Sequence, residues 1–196
     1  MLAQLITDAI EGKEKQIADL RSEINVMRQQ AAAMPIEDYD LQRPDGSACK
    51  LSDFISVNEQ LMLIHNMGFA CPYCTLWADG LNAVWRYLEK RAGFVMLSND
   101  RPDQQLAGMQ KRGWTFPMAT ARGTSLFMDL GFQDKPAADG SPGGWWPGFS
   151  TIYRKDGQLH RHSAAVFGPG DDFCAIWHMF PLLQNNDESI EPTTGM

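Results

Sequence analysis

The stretch that decides the fold runs Leu61-Met62-Leu63-Ile64-His65-Asn66-Met67-Gly68-Phe69-Ala70-Cys71-Pro72-Tyr73-Cys74. Four consecutive apolar residues, Leu61 to Ile64, suit a strand covered on both faces. Gly68-Phe69-Ala70 supplies a turn, and Pro72 fits the first position of a helix, where its missing N–H costs nothing. The apolar positions Trp77, Leu81, Val84, Trp85 and Leu88 keep a 3.6-residue period, which predicts a helix over 72–91 capped at Gly93. Phe94-Val95-Met96-Leu97 then reads as a second doubly covered strand. Strand, helix and strand over this length make a βαβ unit, whose crossover is right-handed.

On that frame Cys71 falls at the helix N-cap, facing unpaired amides and the positive end of the helix dipole. Such a place favours thiolate over thiol, and cysteines held so have pKa values of about 3.5–7.5. Cys74 lies one turn further along the same face, close enough to close a small disulfide. The expected roles are nucleophile for Cys71 and resolving thiol for Cys74. Two alternatives stay open. The pair could be packed thiols, or metal ligands completed by His65, His160 or His162 if the fold brings those histidines to the motif. The sequence has no second C-x-x-C and no histidine pair at zinc-finger spacing, so neither a metal nor a cofactor is assigned.

Upstream, Ile10, Ile17, Ile24 and Ala31 recur every seven residues, with Leu20, Met27 and Met34 three beyond the last three. This a/d pattern predicts one amphipathic helix over 1–34, ended by Pro35 and serving either oligomerisation or packing on its own domain. Residues 36–58 read as strand, turn and strand around Pro44-Asp45-Gly46. Downstream, a helix is expected from Pro102 to Gly113 and a long surface loop over 131–149. A hairpin turns at Lys155-Asp156-Gly157, and a closing helix spans 171–183. The domain proper is then 35–184, followed by a flexible tail over 185–196. Cys49 and Cys174 read as packed thiols, Trp114, Trp145 and Trp146 as loop anchors or a substrate platform, Asp79 as a solvated or structural carboxylate, and Arg112 and Asp129 as surface charge before contacts for an anionic substrate.

The chain has 196 residues, 44% of them hydrophobic and 21% charged, which is the balance of a folded domain and not of a disordered chain. Its net charge of −7 speaks against a broad grip on nucleic acid or anionic lipid. No apolar run approaches the roughly 18 residues of a membrane span. Asp8, Glu11, Lys13, Glu14 and Lys15 interrupt any secretory core, so the expected address is cytoplasmic.

The order β-hairpin, β, α, β, α, β-hairpin, α resembles the thioredoxin-like α/β fold, a central mixed sheet flanked by helices, here with a long N-terminal helix added. Leu41 to Phe54 resembles the opening hairpin of peroxiredoxins and thiol–disulfide oxidoreductases, and Phe116-Pro117 resembles their stretch after the second helix. Peroxiredoxins carry threonine or serine three residues before the attacking cysteine, where this chain has Gly68. Peroxide reduction is therefore the lesser expectation.

A narrower resemblance covers roughly 30–183. Met34-Pro35 with Tyr39, Cys71-x-x-Cys74 with Trp77-Ala78-Asp79, Arg112-Gly113-Trp114-Thr115-Phe116-Pro117 and Gly148-Phe149-Ser150 are similar to a bacterial thioredoxin-like family of predicted dithiol–disulfide oxidoreductases. That resemblance implies a thioredoxin fold and thiol redox chemistry, while the Cys71-Pro72-Tyr73-Cys74 motif at a helix start leads us to expect a disulfide or low-molecular-weight thiol substrate and resetting by a thioredoxin or glutathione system. The expected substrate-facing set is Pro72, Tyr73, Phe69, Trp114, Gly148 and Phe149 beside the catalytic cysteines, and the a/d seam of Ile10, Ile17, Leu20, Ile24 and Met27 leads us to expect a homodimer or higher oligomer. Thioredoxins set a cis-proline against their cysteines. Counted back from Gly157, the equivalent here falls at Gly148 or Phe149, with Pro147 slightly early. The Pro72-Tyr73 dipeptide is like that of glutaredoxins, implying a potential of about −200 to −230 mV.

Overall fold

The computed structural model describes residues 2–141, 143–184 and 192. Helix α1 (Leu2–Gln30) leads to β1 (Met34–Ile36), β2 (Asp40–Gln42), β3 (Ala48–Lys50) and a 3-10 turn at Leu51–Phe54. Then follow β4 (Gln60–His65), α2 (Pro72–Leu88), β5 (Gly93–Ser98), α3 (Pro102–Arg112), β6 (Met118–Thr120) and α4 (Leu126–Asp129). The hairpin β7 (Gly148–Lys155) and β8 (Gln158–Val166) is followed by α5 (Ile176–Met179) and a 3-10 turn at Phe180–Leu182. The expected 185–196 tail falls on residues outside those described, Pro192 apart.

The strands form one sheet in the order β1-β8-β7-β4-β5-β6-β2-β3. β4 runs parallel to β5 and β5 to β6, while β7 joins β4 antiparallel. This is the thioredoxin-like core read from the sequence. Successive side chains along β5 point to opposite faces, so Phe94 and Met96 enter one hydrophobic core and Val95 and Leu97 the other. That double burial is why the strand reads as an unbroken apolar run. The first core lies under α2 and α3 and holds Trp77, Trp85, Trp114 and Phe116. The second holds Leu51, Leu61, Phe127 and Phe132 on the opposite face.

Several expected boundaries move. Helix α2 ends at Leu88 with Glu89 as its cap, and Gly93 opens β5 instead of capping the helix. The expected closing helix shrinks to α5 and the turn after it. The Asp171 carboxylate accepts the N–H groups of Gly168, Phe173 and Cys174, stabilising a turn where a longer helix was expected. Among the described residues no helix is long and apolar enough to cross a membrane.

Candidate functional site

Strand β4 delivers the chain to the carboxyl edge of the sheet, and residues 66–70 turn it into α2. Cys71 is the N-cap, in extended backbone, with Pro72 at the first helical position. The Cys71 sulfur accepts the Cys74 amide N–H at 3.2 Å, and the carbonyl of Cys71 takes both the amide and the hydroxyl of Thr75. The Cys71 sulfur thus occupies the place that a serine or aspartate oxygen takes in an ordinary helix cap.

The two sulfurs differ sharply in surroundings. Cys71 is half-buried, whereas Cys74 is 1% exposed. The Cys74 thiol donates toward Cys71, and with the Cys74 and Tyr73 amides it lowers the Cys71 pKa to about 6 against the opposing cost of burial. Cys74 moves the other way, because its hydrogen belongs in the bond to Cys71 and its position is dry. One thiolate is shared unequally, with the charge on the outer sulfur. Cys49 and Cys174 are buried, and burial raises both thiols, so neither resembles Cys71.

Asn66 and Asp100, which the sequence reading did not single out, hold the turn. The Asn66 amide donates to the Cys74 carbonyl at 3.3 Å and accepts the Gly68 N–H at 2.7 Å, while the Met67 N–H reaches the Cys74 sulfur at 3.4 Å. Asp100 accepts the Phe69 N–H and the Ser98 hydroxyl. Gly68 has φ +105°, and a Cβ there would meet the Asp100 carboxylate at 2.8 Å. A side chain at this position would need a strained backbone and would have to displace the Asp100 carboxylate. Asparagine and aspartate after strands look like turn residues in sequence, so no local signal separates these two.

Phe69 stacks on Trp114 at 5.0 Å between ring centres and covers Gly108 so tightly that a Cβ there would lie 2.2 Å from its ring. Trp114 is fixed in turn by its indole N–H to Asp79 at 2.7 Å, and Asp79 also pairs with Arg112 at 2.8 Å. Asp79 and Arg112 therefore tie α2 to the end of α3: Asp79 takes the structural one of its two expected roles, while Arg112, 9% exposed, is not the surface charge expected of it. Tyr73 lies against Trp77 and Trp177, the latter brought by α5. Phe149 packs on Phe167 and Phe173, and Gly148 opens β7 opposite His65 with no room for a side chain against the Ala165 carbonyl.

Pro147 lines a small void together with Asn66, Cys74, Trp77 and Met96, whereas neither Gly148 nor Phe149 does. No cis peptide bond occurs among the described residues. Trp145 packs on Phe127 in the opposite core and Trp146 is exposed, so of the three tryptophans expected near the motif only Trp114 adjoins it, through Phe69. Asp129 accepts the Tyr39 hydroxyl at 2.9 Å in another part of the molecule.

The histidines do not complete a metal site. His65 stacks on Phe132 in the second core, its Nε2 within 2.9 Å of the Ser150 hydroxyl, and burial holds it neutral. His160 stacks on Tyr153. Among the described residues no three His, Cys, Asp or Glu side chains gather as metal ligands.

Several solved structures share this fold. Peroxidoxin BcpB from Mycobacterium tuberculosis aligns with TM-score 0.57 and 18% identity over 73% of this chain and 88% of its own. Peroxiredoxin Q from Xanthomonas campestris aligns with TM-score 0.58 and 16% identity over 72% and 89%. A peroxiredoxin-like protein from Aquifex aeolicus aligns with TM-score 0.54 and 12% identity over 68% and 74%. A search of curated proteins finds no match. The family described as "Bacterial protein of unknown function (DUF899)" matches residues 7–186, nearly the whole chain, and the protein belongs to it.

Proposed function

We propose that this protein is a thiol–disulfide oxidoreductase in which Cys71 attacks and Cys74 resolves. The observation that carries the reading is the Cys71 sulfur at the α2 N-cap, accepting the Cys74 amide and lowered to a pKa of about 6 by its hydrogen bonds. At neutral pH such a sulfur is mostly thiolate, which is the attacking form.

The Cys71 thiolate attacks a disulfide RSSR′, forms the mixed disulfide Cys71–S–SR and releases R′S⁻, which takes a proton from water. Cys74 then gives up its proton and attacks the Cys71 sulfur, breaking the bond to SR, releasing RS⁻ and leaving an internal Cys71–Cys74 disulfide. Two electrons from an external thiol, of the glutathione or thioredoxin class, return the pair to dithiol. Pro72, Tyr73, Phe69, Trp114 and Phe149, with the backbone at Gly148, are the proposed surroundings of the incoming disulfide.

A peroxidase reading draws support from the peroxiredoxin neighbours. In that scheme Cys71 would be oxidised to a sulfenic acid by ROOH with release of ROH, and Cys74 would condense with it, expelling water. The glycine at position 68, where the peroxiredoxin pattern has threonine or serine, weighs against it.

Stopped-flow rates of the reduced protein with a small disulfide and with hydrogen peroxide, Cys71→Ser as control, separate the two. Disulfide reduction at least tenfold faster than peroxide reduction is expected. The reverse order would assign the peroxidase, and equal rates for wild type and Cys71→Ser would remove both.

A further inference from the structure

Helix α1 presents to solvent an apolar seam that Lys13 alone interrupts between Ile6 and Met27. Ile6, Ile10, Ile17, Leu20, Ile24 and Met27 are between 41% and 69% exposed, although they repeat at a and d positions along one stripe. The helix touches its own domain chiefly through Arg21, whose Nε donates to Asp172 at 3.0 Å, and near strand β8. Six large aliphatic side chains in one exposed line form a patch of the sort that marks an association surface.

We propose that α1 pairs with α1 of a second copy of this chain, antiparallel and about a two-fold axis near residues 18–19. The pattern of the helix itself selects this occupant. An antiparallel pair sets each a residue against a d residue of the other helix. Ile17 then meets the partner's Leu20 and Ile10 meets the partner's Met27, each contact occurring twice by symmetry. Flanking the seam, Glu14 faces the partner's Arg21, and no like charges oppose one another.

A parallel pair in the same register has one defect that decides the orientation. Lys13 occupies a d position, and a parallel dimer would set it against the partner's Lys13 inside the seam. In the antiparallel pair it lies across from the partner's Ile24, where its methylene stem can pack while the ammonium reaches water. A helix from an unrelated protein would not carry the matching Glu14 and Arg21 pattern. This inference is independent of the thiol chemistry, because none of these residues belongs to the Cys71 site.

Two measurements on the full chain test it. By light scattering, the wild type should have twice the chain mass of 22.0 kDa, and Ile17→Glu with Leu20→Glu should have the single mass. Both seam residues are exposed within their own chain, so the double variant should still unfold cooperatively and keep the wild-type rate of Cys71 alkylation. A wild type that remains single at 100 μM, or a double variant that remains twofold, overturns the pairing. For orientation, Ile10→Cys and Met27→Cys chains, each with Cys71 and Cys74 changed to serine, are mixed and oxidised. Crosslinking between positions 10 and 27 at least tenfold above 10-to-10 crosslinking is expected, and the opposite ratio overturns the antiparallel arrangement.

Discussion

Gly68 lies against the Asp100 carboxylate with no space for one further carbon: a Cβ on Gly68 would stand 2.8 Å from Oδ1, on a backbone with φ +105°. Asp100 in turn holds the Phe69 amide and the Ser98 hydroxyl. The turn before Cys71 is thus tightened by a carboxylate that any larger residue at position 68 would have to displace. Replacing Gly68 with threonine, to copy the peroxiredoxin pattern, should cost about 2–4 kcal/mol through backbone strain and displacement of Asp100. Denaturant unfolding of Gly68→Thr measures that cost, and a variant as stable as wild type contradicts the packing. No peroxidase activity should appear.

Cys71 should react with iodoacetamide at a rate that is half-maximal near pH 6 and flat above about 7.5. The largest cause is the hydrogen bond from the Cys74 side chain. Cys74→Ala should therefore shift the midpoint upward toward that of an ordinary thiol, near 8.5. A midpoint unmoved by that change would put the cause elsewhere.

The same group gives stability a pH dependence whose sign follows from the lowered pKa. Between the folded pKa of about 6 and an unfolded pKa of about 8.5, the unfolded chain binds more protons than the folded one. Stability contributed by Cys71 is therefore full above the unfolded value and lost as pH falls through about 6. Urea midpoints measured between pH 5.5 and 8 should rise with pH more steeply for wild type than for Cys71→Ser.

Alanine at an exposed or half-buried helix glycine normally stabilises by up to about 1 kcal/mol. At Gly108 the sign should reverse. A Cβ would lie 2.2 Å from the Phe69 ring, which must then leave Trp114. Gly108→Ala should cost about 1–3 kcal/mol in thermal unfolding, as overpacking does. It should also slow Cys71 with a bulky disulfide more than with iodoacetamide.

Asp79→Ala leaves the buried Trp114 indole N–H unpaired and breaks the bridge to Arg112. The expected loss is about 1–3 kcal/mol, mainly from the unsatisfied donor. Asp79→Asn should retain part of it, since an amide oxygen can still accept the indole proton. Unfolding midpoints of the two variants compared with wild type check the order.

The sequence by itself determined the βαβ core and the place of Cys71 and Cys74 within it. Those are local properties: an apolar run for a doubly covered strand, a 3.6-residue period for α2, and a proline that can only start a helix. The seam of α1 was legible for the same reason, since its spacing lies within one element. Tertiary structure decided what crosses elements. Asp100 reaches Gly68 from the end of β5, Asp79 meets Trp114 from another helix, and Trp177 arrives beside Tyr73 from α5. His65 shows the limit most plainly. It is nine residues from Cys74 in sequence, yet the alternation of β4 sends its ring into the opposite core, against Phe132. Which residues share a site depends on strand faces and helix packing, and these are fixed only when the whole sheet closes its two cores.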